Sequence, residues 1–293
     1  VYLLRYSENP DVFKGLRGFL NLFSEVVSKG DRVAVKLHMG ELGNPNYLRP
    51  ALVRRVVDLL RELGARPFVT DTTTLYPMAR FTEKGYLETA AYNGFTRETV
   101  NAPVVIADGA GYETALERPA RTVMGCQLGK VEVAGAVAEA DCMVVLTHFK
   151  GHLLAGFGGS LKNVGMGCVT KRSKSEQHKV NRPILNEEKC TGCGRCVEEC
   201  VFGALRMEDG KPVMDTERCV SCNMCRLSCP NGAWRLPKGC GEKLQVYLAH
   251  AASAVSRVLD GRVVYVNFIQ DVTSLCDCRA SSSPRVTDDI GVA

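Results

Sequence analysis

RVAVKLHMGELGNPNYLRPALVRRVVDLLRELGARPFVTDT, residues 32–72, carries the reading of the fold. Its two ends, RVAVKLH (32–38) and RPFVTDT (66–72), are short apolar runs with polar borders, the pattern of buried strands. Between them PALVRRVVDLLRELG repeats apolar residues at helical spacing, with Pro50 suited to the first helical position and Gly64 to the helix end. A strand, a helix and a strand in that order predict a parallel pair joined by a crossover. Outward from this unit the alternation continues. VYLLRY (1–6), VVIADG (104–109), CMVVLTH (142–148) and RVVYVNFI (262–269) read as further strands, the last preceded by a helix over residues 242–261. The predicted fold class is α/β, with a Rossmann-like, mainly parallel sheet. Ligands of such sheets sit beyond the carboxyl ends of the strands. The polar residues that end these runs are therefore candidates: His38, Asp71 with Thr72 to Thr74, Asp108, His148 and Lys150. Each alone is more often a cap, a turn residue or a satisfied core histidine than a functional group, and it is their shared position that singles them out.

The alternation is interrupted by a cysteine-rich segment. CTGCGRCVEEC (190–200) and CVSCNMCRLSCP (219–230) repeat the spacing CxxCxxCxxxC. Three thiolates at this spacing wrap one face of a cubane, and the fourth, a helical turn onward, points to the other cluster. Crossed in this way, Cys190, Cys193, Cys196 and Cys229 hold one [4Fe-4S] cluster, and Cys219, Cys222, Cys225 and Cys200 hold the second. Zinc sites pair two separated CxxC knuckles and have no use for the third evenly spaced cysteine. Val201 stands where proline commonly follows such a motif, and Pro230 follows the second copy. The segment resembles a bacterial-type two-cluster ferredoxin, a small α+β domain. Strand and helix patterns resume after it, which makes it an insertion: residues 1–185 form the first part of the α/β domain, 186–240 the insert and 241–293 the returning part.

THFKGHLLAGFGGSLKNVGMGCVTK (147–171) is rich in glycine and base; from residue 148 to 182 seven Lys and Arg face Glu176 alone. Such a loop brings backbone amides and ammonium groups to an anion. Gly156, Gly158, Gly159, Lys162 and Asn163 are the expected cofactor- or anion-binding residues. The order is neither GxxxxGK[ST] nor GxGxxG, and a solvated basic loop is the plain alternative. Beyond Phe149 and Phe157 the segment lacks interleaved aromatics, which disfavours nucleic acid. His38, His148, Lys150, His152 and His178 are the candidate catalytic groups, because histidine titrates near neutral pH.

Cys276 and Cys278 form a CDC triplet whose thiols share one side of an extended backbone. With Cys168 or a histidine they could complete a third metal site or act as a redox pair; unligated thiols are the alternative. Cys142 lies in an apolar strand and reads as core, while Cys126 and Cys240 carry no assignment.

Among 293 residues there are 14 cysteines, eight of them in the one segment, which is unlike a disulfide framework and points to a reducing compartment. No secretory leader opens the chain, and no apolar run is long enough to span a membrane. A cytoplasmic protein is expected. Val1 at the start and the apolar phrase DIGVA at the end suggest trimmed termini.

VKLHMGELGNPNYLRP, VTDTTTLY, YNGF, IADG, THFKGHLLAGFGGSLKNVGMG, SEQH, the paired cysteine motifs, CDC and DIGVA, in that order, resemble the family of domain of unknown function 362. The resemblance covers nearly the whole chain. It implies an iron-sulfur protein: a Rossmann-like domain with an inserted two-cluster ferredoxin unit and a C-terminal part continuing past DIGVA. The loop GHLLAGFGGSLKNVGMG is more weakly similar to that of lactate racemase and its relatives, which would turn His152 and Lys162 toward an active site. Met166 replaces the proline of that motif, so no cofactor is carried over.

Together these readings predict an iron-sulfur oxidoreductase passing electrons through two [4Fe-4S] clusters to an anionic substrate or cofactor at the carboxyl edge of the sheet. An additional metal or anionic cofactor, an anionic small molecule and a redox partner protein are the expected companions. A non-catalytic electron-carrier subunit and a metallocofactor maturation factor are the competing readings.

Overall fold

The structure is a computed structural model that describes residues 2–119 and 128–293; Val1 and Cys126 lie outside the described residues. Seven strands form one sheet in the order Leu4–Arg5, Gly291–Val292, Val263–Ile269, Cys142–His148, Arg32–Lys36, Arg66–Asp71, Val104–Ile106. The last five run parallel. Gly291–Val292 is antiparallel to both of its neighbours. The architecture is therefore α/β with a mostly parallel sheet. The first strand is shorter than the apolar run 1–6, because its partner Gly291–Val292 offers only two register positions.

The unbroken apolar runs follow from burial on both faces. Along Cys142–His148, Cys142, Val144 and Leu146 enter one core while Met143 and Val145 enter the other. The first core is covered by the helix Pro50–Glu62, which buries Leu52, Val53, Val56, Val57, Leu59 and Leu60. Pro50 does stand in its first turn, and Gly64, just past its end, adopts the left-handed φ of +79°. The second core is closed by the helix Cys240–Val258, which also takes in the start of the segment predicted as 242–261.

Chain order places the crevice. The chain runs from Arg32–Lys36 outward through Arg66–Asp71 to Val104–Ile106, then returns to build Cys142–His148 on the opposite side of Arg32–Lys36. The carboxyl ends of Arg32–Lys36 and Cys142–His148 thus flank a topological switch point. Two helices roof it, Ser160–Gly167 and Lys171–His178. The first packs closely on Cys240–Val258 at Gly165, where a Cβ would stand 2.3 Å from the carbonyl oxygen of Leu248. Gly165→Ala is expected to lower stability by about 1–3 kcal/mol through overpacking, read as a shift of the urea midpoint. An unchanged midpoint would mean that the two helices separate freely.

The cysteine-rich segment forms a small α+β unit. Its outer strands, Ile184–Leu185 and Trp234–Arg235, pair antiparallel, so the unit begins two residues before 186. A hairpin joins Leu205–Glu208 to Lys211–Met214. The short helices Arg195–Glu198 and Met224–Ser228 follow the two CxxCxxC turns. Cys240 belongs to the long helix of the α/β domain and is buried there. Among the described residues no helix is long and apolar enough to cross a membrane.

Candidate functional site

A cleft with a cavity of about 70 Å³ opens at the switch point, and five cations line it: Lys36, Arg80, Lys150, Lys162 and Lys174. Among the described residues Asp71 is the one carboxylate in that lining, which leaves the cleft electropositive. Lys36 leaves the end of its strand to meet Asp71 Oδ1 at 2.9 Å and Asn163 Oδ1 at 2.6 Å. Asp71 also accepts from the Tyr86 hydroxyl and the Thr72 amide. Asn163 Nδ2 donates to Leu146 O and Thr147 Oγ1, so this amide is spent in tying the roof helix to two strand ends. Arg80, only 2% exposed, meets Glu41 at 3.0 Å through Nε and lies over the Tyr86 ring, while its Nη2 has no partner among the described residues. A buried donor left without an acceptor is costly unless a ligand completes it. His38 repeats the arrangement. Its Nδ1 accepts from the Gly40 amide at 3.0 Å, which puts the proton on Nε2, a buried donor with no partner among the described residues.

Lys174 Nζ donates to Thr72 Oγ1 at 2.6 Å and to the Thr73 carbonyl. Burial lowers its pKa to about 8, although Asp108 and Asp71 act the other way. Lys162 lies 3.5 Å from the Cys276 sulfur, and the nearby thiols hold its pKa above the ordinary lysine range despite burial. Gly158 and Gly159 line the cleft at the N-terminus of the Ser160–Gly167 helix, as expected of an anion-binding turn, whereas Gly156 is exposed and outside the lining.

The histidines do not act as one group. His148 faces Asp277 at 3.0 and 3.1 Å through Nδ1 and the Gln270 carbonyl at 2.9 Å through Nε2, so neither nitrogen is left for a ligand. That corrects its reading as a proton donor. Lys150 completes the cluster, 3.0 Å from the Asp277 carboxylate. His38 is held neutral, well below the usual histidine range, by burial and by Arg80, Lys150, Lys162 and Lys36. Burial likewise lowers His178 to about 4 and His152 to about 2. These three can offer or accept hydrogen bonds but do not carry the imidazolium proton expected of them near neutral pH.

A second, larger cavity of about 460 Å³ adjoins the cleft and shares Tyr76, His178 and Cys278 with it. His152, whose Nδ1 caps the Leu154 and Ala155 amides, lines this cavity rather than the cleft. One wall is the loop Ser221, Cys222, Asn223 and Met224 of the small unit; the other carries Cys276 and Cys278. The CDC triplet is a turn and not an extended segment: the Arg279 amide reaches the Cys276 carbonyl at 3.3 Å. The buried carboxylate of Asp277 anchors that turn beneath the cleft. The Cys278 amide donates to Cys276 Sγ at 3.4 Å, and a hydrogen bond from the Cys278 thiol, against burial and aided by Lys162, holds Cys276 far below the ordinary thiol range. Cys278 is pushed well above it. Cys168 does not join the pair. It is packed in the apolar core with its sulfur 3.8 Å from that of Met143, because the residue after the roof helix turns inward under the sheet.

In the small unit, Cys190, Cys193, Cys196 and Cys229 surround one cavity and Cys200, Cys219, Cys222 and Cys225 another. Each fourth cysteine accepts an amide from four residues on: Ala204 to Cys200 and Ala233 to Cys229, both at 3.3 Å. Burial opposes ionisation of Cys229, but the amides of Ala233, Asn231, Trp234 and Gly232 outweigh it. All-sulfur donor sets with amide hydrogen bonds fit cubane clusters.

Arg80, Lys36 and Tyr76 were not legible as site residues. Arg80 lies beyond the TDTTTLY phrase, and only the folding of that loop back onto Glu41 reveals it.

The profile of the family described as domain of unknown function (DUF362) matches residues 33–293. No curated protein sequence matches the chain. Among solved structures, the lactate racemase apoprotein from Thermoanaerobacterium thermosaccharolyticum is 18% identical with a TM-score of 0.38, over 58% of this chain and 40% of that one. A Thermotoga maritima protein is 15% identical with a TM-score of 0.39, over 57% of this chain and 40% of that one. The chain thus matches less than half the length of either protein.

Proposed function

The chain belongs to the DUF362 family, whose description names no activity, and we propose from its own residues that it is an iron-sulfur oxidoreductase acting on an anionic substrate. In this reading the small unit is a ferredoxin-type insert. Cys190, Cys193, Cys196 and Cys229 hold one [4Fe-4S] cluster, and Cys219, Cys222, Cys225 and Cys200 the second. Bound there, the clusters supply single electrons. The observation that carries the reading is the shared cavity, with Cys222 on one wall and the cleft residues His178 and Cys278 on the other. Arg80, His38, Lys162 and Lys174 bind and orient the anionic group, and Lys174 supplies the proton that accompanies reduction.

The test is anaerobic. Protein reduced until its clusters give an EPR signal is mixed with fractionated anionic metabolites; one fraction should reoxidise it far faster than buffer does. Retention of the signal against every fraction would overturn the reading. Exposed Leu153, which lines the cavity, favours a second reading, an electron-carrier subunit docked on a larger enzyme, for which native mass of complexes is the check.

The cationic cleft makes a separate demand. Sulfate keeps its charge across neutral and alkaline pH, so any loss of affinity there belongs to the protein. Lys174 loses its proton as pH rises through about 8. Sulfate binding is expected to weaken roughly tenfold between pH 7 and 9, the worth of one charge-assisted hydrogen bond. Lys174→Met should bind weakly at both values, as read by calorimetry; a wild-type affinity flat with pH would remove Lys174 from the anion site.

A further inference from the structure

The turn at Cys276 to Cys278 is unexplained by anion binding. Two free cysteines, one buried and one half-buried, face a cavity whose opposite wall includes Cys222. A turn draws residues two apart toward the about 5.5–6 Å between Cα atoms that a disulfide favours; an extended chain stretches them to roughly 7 Å. Here the turn is closed by the Arg279 amide, and Cys276 Sγ lies against the Cys278 amide. Lys162 Nζ, 3.5 Å from the same sulfur, stabilises a thiolate on Cys276. Asp277, between them, is pinned by His148 and Lys150, so the turn cannot drift out of the cavity.

We propose that Cys276 and Cys278 form a dithiol/disulfide centre that collects two single electrons and passes them, as a pair, to a small disulfide bearing anionic groups. The proposal rests on the iron-sulfur reading above, because the reduced [4Fe-4S] clusters are its reductant. Reduction breaks the Cys276–Cys278 S–S bond. Two electrons, one from each of two reduced clusters, and one proton yield the Cys276 thiolate and the Cys278 thiol. In the second half, that dithiol reduces the substrate disulfide: the Cys276–Cys278 bond re-forms, and the two halves of the substrate leave as one thiol and one thiolate. The ammonium and guanidinium groups of the adjoining cleft, Lys162 and Arg80, provide for the anionic groups of the substrate. The cavity of about 460 Å³ suits a small molecule.

The experiment uses the cluster-containing protein purified anaerobically, with glutathione disulfide as the probe. After exposure to the probe, the peptide carrying residues 276–278 is expected to lose about 2 Da and to resist alkylation. Photoreduction of the clusters should restore both thiols, with two clusters oxidised for each disulfide opened. Cys278→Ser should keep the cluster EPR signal but never lose the 2 Da. A peptide that stays fully alkylatable under the probe overturns the inference and leaves the clusters untouched. A disulfide that forms but persists beside reduced clusters overturns the electron link. Protection from alkylation without the mass loss would assign the pair to a bound metal and also overturn it. Absence of any cluster signal would instead overturn the iron-sulfur reading, which the mass measurement does not address.

Discussion

Cys200→Ala is expected to halve the iron content, from about eight to about four per chain, and the cluster it removes is the one belonging to the second motif. Cys200 is written in the first motif, between Cys190 and the hairpin. In space it lines the cavity of Cys219, Cys222 and Cys225. Local ligation would instead make Cys200→Ala expose Cys190, Cys193 and Cys196. The two outcomes are separated by alkylating the native variant and mapping the peptides. Reaction at Cys219, Cys222 and Cys225, with Cys190, Cys193, Cys196 and Cys229 protected, is the expected pattern. The reverse pattern would sink the crossed assignment. The surviving cluster should also lose the magnetic coupling that two neighbouring cubanes show when both are reduced.

The second large effect concerns stability. Asp277 is fully buried, with Lys150 Nζ at 3.0 Å and both carboxylate oxygens facing His148. Asp277→Asn keeps the shape but removes the charge that balances a buried ammonium. Breaking a buried pair from one side costs about 3–5 kcal/mol, so the melting temperature should fall by roughly 10 °C in a chain of this size. The pH dependence supplies an independent check. Burial works against the Asp277 carboxylate, but Lys150 and then His148 lower its pKa below the ordinary aspartate range. A depressed native pKa contributes stability that is present above the unfolded value of about 3.9 and is lost as pH falls through the native one. The gap between wild type and Asp277→Asn should therefore hold from pH 7 down to about 4 and close below it. A gap under about 1 kcal/mol at pH 7 would show that Lys150 finds another partner.

The histidines were the weakest part of the sequence reading, and the reason is general. Sequence places His38 and His148 at the ends of apolar runs and His178 in a polar one, but whether an imidazole titrates near neutrality depends on what surrounds it. Four cations and burial decide the state of His38, and two acceptors occupy His148. Apart from Lys36, two residues before His38, none of these neighbours is close in the chain. Lys174, one base among seven in its segment, becomes distinctive only because the helix Lys171–His178 turns it inward onto Thr72 and Thr73.

By itself the sequence determined the parallel α/β core and the α+β interruption in it. Strand and helix periods are local properties of neighbouring residues, and burial on both sheet faces demands the unbroken apolar runs of 33–35 and 142–146. It determined also the paired cysteine spacings, since three thiols within seven residues can meet one center without help from distant chain. Tertiary structure alone decided which residues meet in the cleft. Arg80 reaches it by pairing with Glu41, Asp277 becomes a buried anchor between two strand ends, and CDC turns toward Cys222 across a cavity. Such contacts join residues tens to hundreds of positions apart, and their energies depend on exclusion of water, which no local pattern of residue types records.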